Sequence, residues 1–430
     1  MILTKFRTLP RLWKMVCINS LIMFVWWIIF YPGFFSRDSF GVIDMVKQGP
    51  ITSDWTAIWP LMVKLITFNG SHPVFATLIF SQIFSISLTL FANEISRETK
   101  QFSASIILSA TPVVGAMGVT LWHDIPMTSG FFLILTGINR FRIGNRYSKT
   151  IITLGVFFLG FRFNGVPTFI LAVLIFLVFF KNRKPDALLL LSLMVFGIFF
   201  SGLNVYYSAP ERTQSAALIE WMRYDIACFA GSIKDDAYFE NAFNGNSSQK
   251  NWESGEACTW FISGEVSKLR NSKIDSLIPS AWIKLLKKNP GFIIETHLKR
   301  NSYLIPFPIY GLEKIPFIHS TIELSGKGIS FLNPTLVELV RNYPRAWNYF
   351  NFIFGYSGLW LFVIFAFAIY RRNQFYFRIG VVGVVLNVTL FIVAVIPDAR
   401  FSLFVLVAGQ LILLSEIAEI LHRKNVRGSS

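Results

Sequence analysis

Residues 12–39 read LWKMVCINSLIMFVWWIIFYPGFFSRDS, and the way this stretch ends decides the fold. Up to Tyr31 it is almost wholly apolar, and crossing a bilayer as a helix takes about 20 such residues. Pro32 and Gly33 then end the helix, because proline has no amide hydrogen to donate and glycine leaves helical torsions readily. Ser36, Arg37, Asp38 and Ser39 follow at once, which puts a carboxylate beside a guanidinium where a membrane helix leaves the bilayer. Asp38 therefore lies in the interfacial layer, within reach of a lipid head group.

The rest of the chain has the same character. Its composition is 53% hydrophobic, 16% aromatic and 15% charged, against roughly 25% charged in a soluble domain. The fold class is an all-α integral membrane protein, with about ten segments apolar enough to be read as transmembrane helices. They cover residues 12–31, 73–95, 103–121, 126–139, 151–161, 166–180, 187–206, 350–370, 379–396 and 401–421. The fourth and fifth are short, as tilted or broken spans would be.

The net charge of +16 does not point to nucleic acid, because the basic residues stand in short blocks at the ends of apolar segments. Lys5, Arg7, Arg11 and Lys14 precede the first span, and Arg97 and Lys100 follow the second. Arg140, Arg142, Arg146 and Lys149 follow the fourth, and Lys181, Arg183 and Lys184 the sixth. Arg371, Arg372 and Arg378 follow the eighth, and His422, Arg423, Lys424 and Arg427 the last. With an even number of spans every block falls on one side, as the positive-inside rule requires. Both termini are then expected in the cytoplasm, with the Asp38 loop outside. The first apolar stretch is too long for a signal-peptide core and lacks a small-residue cleavage site, so it reads as a retained anchor.

Three parts follow from this pattern: an N-terminal membrane module (1–206) with a first outer loop at 32–72, an extracytoplasmic loop domain (207–348), and a C-terminal membrane module (349–430). The start of the loop domain, through Glu211-Arg212, Asp235-Asp236 and Asn244-Gly245-Asn246, reads as loops and short helices. Residues 278–288 carry Trp282, Ile283, Leu285 and Leu286 among Lys284, Lys287 and Lys288; Asn289-Pro290-Gly291 breaks the run, and 292–304 resumes helical spacing with Ile294, His297 and Leu298. These helices either lie at the membrane interface with lysines on head groups or cover the loop domain's own core. Of the three cysteines, Cys17 lies in the first span. Cys228 and Cys258 share the outward segment, where an oxidising compartment would join them; two buried free thiols are the other reading.

Charged residues at outer span ends are few enough to form one site. The first loop supplies Arg37, Asp38, Asp44 and Asp54, and later turns supply Trp122-His123-Asp124, Arg162-Phe163-Asn164-Gly165 and Pro397-Asp398-Ala399-Arg400. Ionisable groups near membrane depth are costly unless paired or functional, so acids and arginines on neighbouring turns either neutralise one another or do chemistry. Moving a sugar from a lipid-linked phosphate to an acceptor hydroxyl needs a carboxylate base to take the hydroxyl proton. It also needs cations on the departing phosphate, a role that suits arginine, whose planar fork binds two phosphate oxygens. Asp38 as base with Arg400 and Arg162 as clamps meets both needs if the turns converge.

The residues from Tyr31-Pro32-Gly33 through Ser36-Arg37-Asp38-Ser39 to Ser53-Asp54-Trp55 and Pro60 resemble the first outer loop of bacterial polytopic glycosyltransferases of the GT-C type. Trp122-His123-Asp124, Arg162-Phe163-Asn164 and Pro397-Asp398-Ala399-Arg400 are similar to that group's later outer turns, so the likeness covers most of the membrane part in order. It implies many membrane helices, an active site at the outer face of the bacterial cytoplasmic membrane, a polyprenyl-phosphate sugar as donor and a catalytic aspartate at Asp38. At the level of substrate the chain resembles the glucosyltransferases that decorate lipopolysaccharide O-antigen, with the loop domain selecting a glycan or glycolipid acceptor. Two positions depart from the group's pattern: Trp55-Thr56-Ala57 stands where a histidine-proline often follows the aspartate-tryptophan, and His123 where a lysine often precedes the second acid. Arg37-Asp38 replaces the early acid pair of metal-dependent oligosaccharyltransferases, which argues against a required divalent ion.

His72, His123, His297 and His319 show no ligand spacing on one helix, which favours structural roles over metal. Most aromatics read as packing and interfacial belts; Trp55, Trp59 and Trp122 are best placed to stack on a sugar ring. No phosphate-binding glycine loop and no nucleophile elbow is present. Two rival readings stay open. An O-antigen polymerase or ligase would place essential arginines in the loop domain, with Arg212, Arg223 and Arg300 as candidates. A secondary transporter or flippase would need polar or broken segments at the bilayer centre, where Gln82, Asn204 and Asn387 are the candidates.

Overall fold

The computed structural model describes residues 10–49, 55–99, 103–179, 184–207, 216–233, 272–305, 355–394 and 399–428. In chain order the helices are α1 (Arg11–Ile29), α2 (Arg37–Gln48), α3 (Ile58–Ile66), α4 (Pro73–Thr99), α5 (Ser103–Ala110), α6 (Pro112–Gly118), α7 (Asp124–Arg142), α8 (Ser148–Leu159), α9 (Gly165–Phe179), α10 (Lys184–Tyr207), α11 (Ala216–Ile233), α12 (Ser272–Lys288), α13 (Pro290–Arg300), α14 (Ser357–Arg371), α15 (Gln374–Val393) and α16 (Leu403–Gly428). Short 3-10 turns cover Ser302–Leu304 and Ala399–Ser402. Among the described residues the only β-pairing is one isolated parallel bridge, Phe34 with Thr120.

Five helices among the described residues are long and apolar enough to cross a membrane: Arg11–Ile29, Pro73–Ser96, Leu189–Tyr207, Gln374–Val393 and Arg400–Lys424. Ser148–Leu159, Gly165–Phe179 and Ser357–Arg371 are apolar but shorter. α10 exposes Leu191, Met194, Val195, Ile198, Phe199 and Val205, a surface that suits lipid and not water.

The third expected span is two pieces. Thr111-Pro112 separates α5 from α6, because Pro112 has no amide hydrogen to continue the ladder, and the pieces are 8 and 7 residues long. Trp26 fills the break: its Nε1 donates to the Ser109 carbonyl at 3.1 Å, and a Cβ on Gly115 would lie 2.3 Å from its indole. The fourth is longer than its apolar run, 19 residues from Asp124 to Arg142, and buried along most of its length. Its glycines allow that enclosure. A Cβ on Gly130 would lie 2.7 Å from the Gly155 carbonyl oxygen, and one on Gly155 2.9 Å from the Ile134 nitrogen, so α7 and α8 pack backbone to backbone.

Ion pairs close the end of the bundle at which α7 finishes. Glu94 accepts from Arg140 Nε at 2.8 Å and Asn139 Nδ2 at 2.9 Å, and Arg378 grips both Asp186 oxygens at 2.6 and 2.8 Å. At the opposite end, α11, α12 and α13 surround a small core of Ile219, Tyr224, Ile226, Ala227, Ile278, Leu285 and Ile293. The expected helix pair is present, extended to Ser272–Lys288 and shortened to Pro290–Arg300, and it covers that core while Lys284, Lys287 and Lys288 are exposed. α11, 18 residues long, stands where loops and short helices were expected. Cys228 is disulfide-bonded; Cys258, the partner to which the sequence points, lies outside the described residues, as does Arg212.

Candidate functional site

The site begins where α1 ends. Gly33 has φ +108°, and a Cβ there would lie 2.6 Å from Thr77, so glycine is required by both backbone and space. Thr77 Oγ1 donates to the Pro32 carbonyl at 2.6 Å and accepts from Trp27 Nε1 at 3.0 Å. The turn then runs beside the end of α6. Phe34 N donates to the Val119 carbonyl at 3.2 Å, and Leu121 N to the Phe34 carbonyl at 3.0 Å. Ser36 N donates to Ser39 Oγ at 3.0 Å, Ser39 Oγ donates to the Leu121 carbonyl at 2.8 Å, and Trp122 Nε1 donates to Ser36 Oγ at 2.7 Å. These bonds fasten the first turn of α2, which carries Asp38, to the turn before α7.

Asp38 Oδ2 lies 2.8 Å from Arg400 Nη1. The Asp38 side chain is 38% exposed and that of Arg400 only 9%, so the carboxylate is partly open while its partner is enclosed. The Arg400 guanidinium lies 4.8 Å above the Trp122 ring and 5.0 Å above that of Phe401, a cation–π seat that fixes the fork. Asp124, the first residue of α7, is fully buried and paired with Arg162, whose guanidinium lies 4.4 Å over the same Phe401 ring. Turns from four separate parts of the chain thus meet around Phe401 and Trp122.

His123 lies among them with its ring 6.1 Å from that of Trp59. Burial first, then the charges of Arg162 and Arg400, hold its imidazole well below the usual histidine range. It is therefore neutral and able to offer a lone pair or a single N–H. The Nδ2 and Oδ1 atoms of Asn164 are buried without a hydrogen-bond partner among the described residues. Leaving such a group unpaired costs about 1–3 kcal/mol, and a ligand hydroxyl would satisfy both atoms.

Two of the expected stacking residues are corrected. Trp59 is 1% exposed and sits among Phe80, Phe161 and His123; Trp122 is 2% exposed, with Arg400 over its ring. Both are packing residues in this structure, because an apolar ring between two helices gains more by burial than at the surface. Trp55 is the partly exposed one, set against Gly41, where a Cβ would lie 3.1 Å from its ring. Asp54 and the Arg37 side chain lie outside the described residues, although the Arg37 backbone opens α2.

A second ionic cluster joins α11, α12 and α13 to α15. Asp225 accepts from Trp282 Nε1 and meets His297 Nε2, both at 2.9 Å, and accepts from Arg300 Nη1 at 3.2 Å. His297 Nδ1 lies 2.7 Å from the Phe391 carbonyl, and Asn301 Nδ2 donates to the Phe391 and Ala394 carbonyls at 3.2 and 3.3 Å. Burial lowers the Arg300 pKa against the opposing pull of Asp225, and its Nε and Nη2 have no hydrogen-bond partner among the described residues. The alternation of Arg223 and Asp225 within an apolar run was the available signal for this cluster. Compared with protein-family models, curated proteins and solved structures, the chain matches none.

Proposed function

We propose that this chain is a multi-pass glycosyltransferase of the bacterial cytoplasmic membrane, with about ten spans and both termini in the cytoplasm. It moves a hexose such as glucose from polyprenyl phosphate to a cell-surface glycan or O-antigen on the outer face. The observation that carries the reading is the Asp38–Arg400 contact of 2.8 Å on an open carboxylate. Asp38 takes the proton from the acceptor hydroxyl as its oxygen bonds to the sugar's anomeric carbon. The bond from that carbon to the phosphate oxygen breaks, and the charge left on polyprenyl phosphate is held by Arg400 through its paired N–H donors. Asn164 and neutral His123 would bond sugar or acceptor hydroxyls in this reading.

A second reading, an O-antigen polymerase or ligase, is favoured by one observation, the buried Arg300 beside Asp225, with two donors that have no hydrogen-bond partner among the described residues. Mass spectrometry of the surface glycan from cells with and without the protein separates the two. Decoration predicts a loss of one hexose per repeat when the protein is absent, and polymerisation predicts altered chain length at constant repeat mass. A glycan unchanged in both respects removes both readings.

A further inference from the structure

At the end of the bundle opposite Asp38, an open cleft of about 400 Å³ is lined by Arg142, Arg371, Arg372, Asn373, Gln374 and Glu416, among others. Its charges do not balance. Glu416 is already engaged, by Arg371 Nε at 2.7 Å and by the Tyr376 hydroxyl at 3.1 Å. Arg142 reaches the Gln374 side-chain oxygen at 3.3 Å, and among the described residues neither Arg142 nor Arg372 has a carboxylate in salt-bridge range.

The backbone adds to the positive character. Arg372 ends α14 in the left-handed region, at φ +50°, and turns the chain directly into α15. Asn373 caps that helix, its Oδ1 accepting from Phe375 N at 2.8 Å and Tyr376 N at 3.3 Å, which leaves its amide nitrogen as a donor beside the arginines. The N-terminal end of the 20-residue α15 contributes a partial positive charge at the same place. A topological bias toward cationic loops accounts for arginines at this end, but not for their convergence on one polar cleft.

We propose that this cleft binds a phosphate group, supplied by an anionic phospholipid or by free phosphate. Exposed apolar side chains next to its rim, Ile143 (62%), Ile369 (72%), Tyr370 (73%) and Phe377 (38%), provide a surface for acyl chains, and basic pockets between membrane helices are a recognised place for phospholipid head groups. The site lies at the far end of α7, α15 and α16 from Asp38, and its occupancy does not depend on what Asp38 does.

The test is thermal unfolding of the full-length detergent-purified protein during titration with phosphatidylglycerol, phosphatidylcholine or inorganic phosphate. A rise in Tm with phosphatidylglycerol and not with phosphatidylcholine is expected, with the apparent affinity reduced about ten-fold or more in the Arg142→Gln, Arg372→Gln double variant, since each lost guanidinium removes a charge-assisted bond. Inorganic phosphate matching phosphatidylglycerol assigns the free ion as the ligand. If the double variant does not fold, Arg372→Gln alone, at an exposed position, reports the same loss in smaller degree. No rise with either phosphate source, or equal affinity in wild type and variants, overturns the proposal.

Discussion

Asp38 and Arg400 come from opposite ends of the chain and meet at 2.8 Å. An accessible ion pair adds only about 0–1 kcal/mol to stability, so stability alone gives little reason for seating Arg400 on two aromatic rings. Asp124 and Arg162 differ in kind. Their carboxylate is fully buried, and removing one partner of such a pair costs about 3–5 kcal/mol; that pair holds the turns in place for the other. His123 makes a pH prediction. Its pKa is depressed in the folded state, so the stability it contributes is complete above its unfolded value of about 6.5 and is lost as pH falls below that. The Tm should therefore decline from pH 7 to pH 5 and decline less in His123→Gln; identical profiles would show that the imidazole is not held neutral. The four charged residues were legible in the sequence because each ends an apolar run. The burial of Trp59 and Trp122 was not, because the direction of an aromatic at a span end depends on which helices flank it.

At the scale of elements, two contacts tie the helices together: the close α7–α8 pair and the Asp225 latch that joins α11, α12 and α13 to α15. Gly130 faces the Gly155 carbonyl at a distance that admits no Cβ. Gly130→Val meets backbone that cannot move aside, and overpacking of this kind costs about 1–3 kcal/mol or more. The yield of monodisperse protein should fall sharply, and an unchanged yield and Tm would mean that the two helices are not in such close contact. Asp225 gathers Trp282, His297 and Arg300, and the same histidine reaches the Phe391 carbonyl near the end of α15. Asp225→Asn leaves Arg300 buried without its counter-charge, at about 3–5 kcal/mol, and should speed proteolytic cleavage within 272–305. Cleavage at the wild-type rate would contradict the latch. α12 and α13 were legible from helical spacing and the Asn289-Pro290-Gly291 break. α11 was not, because Arg223 and Asp225 interrupt its apolar run, and the burial of Asp225 against His297 and Arg300 of α13 is a tertiary contact that spacing does not show.

For the whole molecule, the long apolar runs were enough to read a helical membrane protein, and the lipid-suited face of α10 agrees with them. Span number was harder to read. α8 is 12 residues, about 18 Å of helix, against a hydrocarbon core of about 30 Å, and α5 and α6 are two short pieces where one span was expected. Hydropathy marks where the chain is apolar and not where the backbone bends. In the proposed function the chemistry of this architecture rests on one carboxylate, Asp38. The most direct test of that claim is sugar transfer from polyprenyl phosphate in membrane vesicles containing wild type or Asp38→Asn at equal abundance and with the same protease-accessible topology. The account predicts that the variant inserts normally and transfers at least 100-fold more slowly, within the range of about 10²–10⁴ that a general base contributes; transfer at the wild-type rate would contradict it.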